Sequence, residues 1–130
     1  METTAAPTAP DTSDMSDVEA LTTLNDFFIE SCRQGSWEML SQILSDDFAY
    51  LDGNTGATME RGPYSQALGP APTLTIDQVV VHVSGNTGLA SARSSIQAGR
   101  YSRYLDSYER RDGRWVCVHA CVWRGLPNMD

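Results

Sequence analysis

Apolar side chains along this chain recur first at helical spacing and then at strand spacing. Val18, Leu21, Leu24, Phe28 and Cys32 lie three or four residues apart, with Phe27 and Ile29 broadening the stripe, and predict an amphipathic helix. Ser16 and Glu19 have capping-box spacing at its start, and Gly35 is placed to close it. Ser36 can cap a second helix with Trp37, Leu40, Ile43 and Leu44 on its apolar face, ended by Asp46 and Asp47. The two helices are expected to pack as a hairpin.

The period then drops to two. Residues 48–52 alternate as a strand, Gly53, Asn54 and Gly56 form a turn, and residues 58–60 make a short return. Gly62 and Pro63 open a brief helix over residues 64–68, and the Gly-Pro-Ala-Pro run at 69–72 is a stiff connector. Four strand-like runs come next, over 74–83, 88–98, 101–111 and 114–123. Asn86 with Gly88, Gly99, and Asp112-Gly113 mark their reversals, the last being a strong hairpin signal. Helices followed by an antiparallel sheet predict an α+β domain in which the sheet curls over the helices.

The last strand adds a partner to this picture. By alternation one face is Trp115, Cys117, His119, Cys121 and Trp123, and the other is Val116, Val118, Ala120 and Val122. Neither face looks solvated, although a strand in a small two-layer domain normally buries only one. With no sequence left for a third layer, the first face is expected to cover itself in a homodimer. Val118 and Ala120 then face inward.

Composition narrows the function. The chain has 130 residues and a formal charge of −8, with nine arginines, no lysine and 17 acids. Residues 1–15 are rich in Thr, Ala, Pro and Asp and are expected to be a disordered tail before one domain over 16–126, with a short tail at 127–130. Glu2, Asp11, Asp14, Asp17 and Asp130 lie at these ends, so twelve acids face nine arginines in the folded part. No basic patch suits nucleic acid, no apolar run spans a membrane, and no secretory signal opens the chain. The three cysteines are too few for a disulfide scaffold, and a cytoplasmic location is the default expectation. Cys117, His119 and Cys121 suggest a metal. However, Cys117 and Cys121 on one strand face would be about 13 Å apart, too far to share an ion, so no metal is expected. Neither a phosphate-binding glycine loop nor a nucleophile elbow occurs.

The order of elements, the segment LSDDFAYLDGNTG and the closing hairpin RYLDSYERRDGRWVCVH resemble the nuclear transport factor 2-like superfamily over about residues 17–124. The hairpin is similar to that of SnoaL-like proteins and of the association domain of calmodulin-dependent kinases. The resemblance implies a cone-shaped α+β fold around an apolar cavity. Against the ketosteroid isomerases of this superfamily, Asp52 falls at the general-base position and Asp106 at that of an oxyanion donor. Phe28 stands where those enzymes carry a tyrosine, and phenylalanine cannot donate a hydrogen bond.

The resemblance implies cofactor-free acid–base chemistry, of isomerase, cyclase or dehydratase type, on a small apolar organic metabolite such as a polyketide-like intermediate. Asp52 and Asp106 would be catalytic, with pKa values spread by the apolar surroundings. Asp52, which precedes Gly53-Asn54, can equally serve to cap that turn. Phe28, Tyr50, Tyr104, Tyr108, Val118, Ala120 and Arg93 would line the ligand site. The alternative is a non-catalytic binding or assembly module of the same fold, and a weaker one is an epoxide hydrolase pairing Arg93 with an aspartate.

Overall fold

The computed structural model describes residues 6–126, so the expected tail at 127–130 and residues 1–5 lie outside the described residues. The chain runs α1 (Asp17–Gln34), α2 (Trp37–Leu40), β1 (Leu44–Asp52), β2 (Thr58–Glu60) and α3 (Arg61–Ala67). It continues through β3 (Thr75–Ser84), β4 (Thr87–Gln97), β5 (Arg100–Arg111) and β6 (Arg114–Leu126). The Oγ of Ser16 accepts the Glu19 N–H at 3.2 Å and fixes the start of α1. Gly35 ends it at φ 62°, donating its N–H to the Cys32 carbonyl. A Cβ at Gly35 would lie 2.5 Å from the Pro70 nitrogen, so the connector at 69–72 packs directly on the helix end.

The second helix is one turn long, not the two expected. Ser36 caps it, but the chain leaves the helix after Leu40 because the next residues join the sheet. The Cys117 N–H donates to the Ile43 carbonyl at 2.8 Å, and Leu44 pairs with Cys117. Asp46 and Asp47 are therefore strand residues rather than a helix end. Asp47 pairs with Arg111 at 2.9 Å, which holds the pKa of its carboxyl at about 2. Pro63 lies third in α3, within the first turn, where its missing N–H costs nothing.

The strands form a single mixed sheet in the order β2-β1-β6-β5-β4-β3. The sequence pattern predicts an antiparallel sheet, but β1 and β6 run parallel. The long stretch of chain between them supplies the crossover that a parallel pair requires. The remaining pairs are antiparallel, and Asp112-Gly113, both at positive φ, turn the β5–β6 hairpin.

A bulge in β6 corrects the expected faces of the last strand. Ser107 pairs with His119 and Tyr108 with Cys117, leaving Val118 as the extra residue. The alternation reverses there. Trp115 and Cys117, expected on the outer face, turn inward and are buried in the same core as Ala120. His119, Cys121 and Trp123 remain on the outer face.

The core lies between α1 and the concave face of the sheet. Leu21, Leu24 and Phe28 pack on Phe48, Tyr50, Ala90 and Tyr108. Small residues on β4 make room for the helix: a Cβ on Gly88 would come within 2.2 Å of Leu21 Cδ1. Residues 6–15, expected as a disordered tail, form no helix or strand, yet they lie against this body. Gln42 accepts the Ala9 N–H and donates to the Pro7 carbonyl, both at 2.8 Å, and Met15 packs on the core. Asp17 belongs to the fold as well, pairing with Arg110 at 2.7 Å.

Candidate functional site

Beyond the packed core, α1, α3 and the open end of the sheet enclose a cavity of about 280 Å³. Its apolar walls include Phe28, Ile29, Met59, Leu68, Leu74 and Val122. Asp106, on the inner face of β5, is only 2% exposed and lines this space. Its neighbours across the ladder are Ala90 on β4 and Ala120 on β6. Two alanines flanking a carboxyl leave the volume above it empty, so the sequence opens the cavity at this residue. No hydrogen-bond donor among the described residues reaches the Asp106 carboxyl, and its burial alone drives its pKa well above the carboxylate range.

Tyrosines surround it. Tyr50 on β1 and Tyr64 on α3 stack with ring centroids 5.2 Å apart, and Phe48 lies 5.3 Å from Tyr64. The Tyr50 hydroxyl is buried with no hydrogen-bond partner among the described residues. Tyr104 donates its hydroxyl to Asn25 Oδ1 at 2.7 Å. Burial raises the pKa of Tyr104 and Tyr64, and Asp106 adds to both. The Cys32 thiol, on the helix side of the cavity, is pushed up to about 12, first by burial and then by Asp106. These groups are thus held in their neutral forms. Among the described residues, the one cationic side chain on the lining is Arg124, exposed at the mouth.

Five of the expected site residues meet here: Phe28, Tyr50, Tyr104, Asp106 and Ala120. Four do not. Asp52 lies outside the lining, and its Oδ1 accepts the N–H groups of Asn54 at 2.8 Å and Thr55 at 3.3 Å. It caps the β1–β2 turn, the role its position before Gly53-Asn54 also allows. Tyr108 is packed behind the cavity in the core, its hydroxyl buried without a partner among the described residues. Val118 is the bulge residue and is not on the lining. Arg93 is on the outer face, where it bonds Asp77 with its Nε at 2.8 Å and lies 4.3 Å over the Tyr101 ring. An arginine–aspartate pair does exist, but on the wrong side of the sheet for cavity chemistry.

Sequence reasoning missed Tyr64, Met59 and Arg124. Tyr64 is the single aromatic of α3, and Arg124 shares the parity of Ala120 and Val122. Extending the last strand past residue 123 would have found Arg124. Among the described residues no cluster of three or more His, Cys, Asp or Glu side chains could hold a metal, and no helix is long and apolar enough to cross a membrane.

A helical layer seated in a curved mixed sheet, closing on one apolar cavity, defines the cone-shaped α+β class. The fold is the nuclear transport factor 2-like fold, as comparison with solved structures shows. An NTF2-like protein from Cytophaga hutchinsonii superposes with a TM-score of 0.68 at 16% identity, covering 85% of this chain and 99% of that one. A proposed ketosteroid isomerase from Parabacteroides distasonis gives 0.69 at 15%, covering 88% and 92%. A proposed calmodulin-dependent kinase II association domain from Exiguobacterium sibiricum gives 0.64 at 20%, covering 85% and 94%. No family model matches the sequence, and no curated protein is significantly similar to it.

Proposed function

We propose that the protein binds a small, largely apolar organic molecule in this cavity and moves a proton on it without a cofactor, as an isomerase, cyclase or dehydratase does. The observation that carries this reading is the buried, unpartnered carboxyl of Asp106 in an apolar space. Held neutral, it can donate its O–H to a ligand oxygen. The proton passes to that oxygen, and the carboxylate left behind takes a carbon-bound proton next to the protonated group, so the ligand gains one proton and loses one while Asp106 returns to its neutral form. One carboxyl then fills both roles that had been divided between Asp52 and Asp106.

A specific observation also favours the binding-module reading. Among the described residues Asp106 is the only carboxyl on the lining, so no second base stands ready. The two readings separate on acetophenone, a neutral ketone small enough for the cavity. Its methyl protons exchange with solvent deuterium when a base removes them, which NMR in D2O follows. The enzyme reading expects exchange at least about 100-fold faster with the native protein than with Asp106→Asn, both binding the ketone. Equal exchange, with binding retained, leaves a binding module.

The outer face of the sheet supports pairing with a second copy of the chain. Leu51, Cys121 and Leu105 are direct cross-strand neighbours there, and Val80 and Leu89 are exposed nearby. The expected interface therefore keeps His119, Cys121 and Trp123, while Trp115 and Cys117 leave it for the core.

A further inference from the structure

Building on the cavity reading, we infer that the ligand is a small organic acid: a single-ring or short-chain body inside the cavity, with its carboxylate at the mouth on Arg124. Three observations converge on this class.

Size is the first. A cavity of about 280 Å³ open at one side has room for a small organic body. One ring with a short substituent fits it.

Charge is the second. Arg124 is the one cationic side chain on the described lining, and burial raises the pKa of Asp106 at the far end, so the mouth favours an anionic group. Arg124 forms no ion pair among the described residues. A guanidinium presents a planar fork of donors that matches a carboxylate in shape and charge.

Position is the third. The backbone of Arg124 is clamped on both sides by one side chain. Its N–H donates to Asn54 Oδ1 at 2.7 Å, and Asn54 Nδ2 donates to its carbonyl at 3.0 Å. Asn54 is held in turn by the turn that Asp52 caps, and Gly53 donates to the Val122 carbonyl at 2.7 Å. The β1–β2 turn thus fixes the backbone of Arg124 at the rim. The opposite pole of the ligand meets the Asp106 carboxyl, which fits an oxygen acceptor such as a ketone. A keto or hydroxy acid has both poles.

The test compares benzoylformate, which carries a ring, a ketone and a carboxylate, with benzoylformamide, its neutral isostere. Calorimetry or NMR titration is run on the native protein and on Arg124→Gln. The acid is expected to bind the native protein about tenfold more tightly than the amide, the size of one good charge-assisted contact. That preference should shrink in high salt. In Arg124→Gln it should fall to about twofold or less, with amide affinity unchanged and the native NMR spectrum retained. An amide that binds the native protein as well as the acid overturns the inference, and so does a preference that survives Arg124→Gln. Acetophenone serves as the control. If it binds but neither benzoylformate nor the amide does, the organic-acid inference fails while the cavity reading stands. If acetophenone does not bind either, both fail.

Discussion

The Tyr104 hydroxyl donates to Asn25 Oδ1 across 2.7 Å of buried space, joining β5 to α1 two residues from Asp106. The bond fixes the helix at the depth where Phe28 and Cys32, one and two turns further on, wall the cavity. It is also under-supported, since Asn25 Nδ2 is buried with no partner among the described residues. Tyr104→Phe strands the amide oxygen as well, and an unpaired buried polar group costs about 1–3 kcal/mol. Urea unfolding should show a loss in that range. Asn25→Leu combined with Tyr104→Phe removes both partners and should recover part of it. A single variant as stable as the native protein would mean that the bond contributes nothing.

Asp106 sets a pH dependence whose sign can be worked out. Its pKa is raised in the fold by burial, so the native state keeps a proton that the unfolded chain releases above about pH 4. The native state therefore binds more protons, and stability falls as pH rises from about 4 toward the raised pKa, at about 1.4 kcal/mol per pH unit. Asp17, Asp47 and Asp77 work the other way, because their arginine partners lower their pKa values and stability is lost on acidification. Subtracting the profile of Asp106→Asn from that of the native protein isolates the first effect. The difference should move against the native protein as pH rises from 4 to 7. A flat difference would mean that Asp106 is ionised in the fold.

How much of this was legible in the chain varies with the physical signal. Helix α1 was readable end to end, because Ser16, Gly35 and the apolar stripe each reported one local requirement. The β5–β6 hairpin was readable because Asp112-Gly113 suits only one kind of turn. What escaped was non-local. The parallel pairing of β1 with β6 brings together segments some 70 residues apart, and no local pattern announces it. The bulge at Val118 was invisible in a run of residues that are apolar on both faces, where shifting the alternation by one leaves the pattern unchanged. The site was half legible for the same reason. Asp106 stood out as an acid between Tyr104 and Tyr108. Asp52, of equal appeal, was satisfied by its own turn, and only the backbone bonds of Asn54 and Thr55 decide between the two roles.

That turn gives the next prediction. Asp52 acts by accepting N–H bonds, which an amide oxygen also does. Asp52→Asn should therefore stay within about 0.5 kcal/mol of native stability, whereas Asp52→Ala loses the cap and about 1 kcal/mol. Cavity binding of acetophenone should be unchanged in Asp52→Asn. A selective loss of proton exchange in Asp52→Asn, with binding and stability intact, would return Asp52 to the chemistry and refute its assignment as a cap.

Gly35 tests the seam between α1 and the connector. An alanine there meets two penalties, a left-handed backbone at φ 62° and a Cβ 2.5 Å from the Pro70 nitrogen. The contact is with backbone, so no side chain can swing away. Gly35→Ala should cost more than the roughly 1 kcal/mol of the conformational penalty alone. Gly56→Ala, also at positive φ but with open space around it, should show only that smaller cost. Equal losses in thermal or urea unfolding would mean that the connector yields.

The outer sheet face provides the last prediction. Across its middle runs a cross-strand row: Leu51 beside Cys121, Cys121 beside Leu105, Leu105 beside Ser91, Ser91 beside Val80. Leu51 is 37% and Val80 59% exposed, so this apolar row faces water in a single chain. Alongside it Trp123, Arg103, Arg93 and Asp77 form a second row that ends in the Arg93–Asp77 ion pair. A two-fold axis through such a face lays the apolar rows on each other and brings each charged row to its own copy, which is the self-complementarity a closed dimer needs. Leu105 sits at the centre on a strand whose inner face is already packed, so Leu105→Arg leaves the core untouched. Light scattering at micromolar concentration should give a dimer mass for the native protein and a monomer mass for Leu105→Arg, with matching circular dichroism. A native monomer, or a variant that still dimerises, would remove this face as the interface between copies.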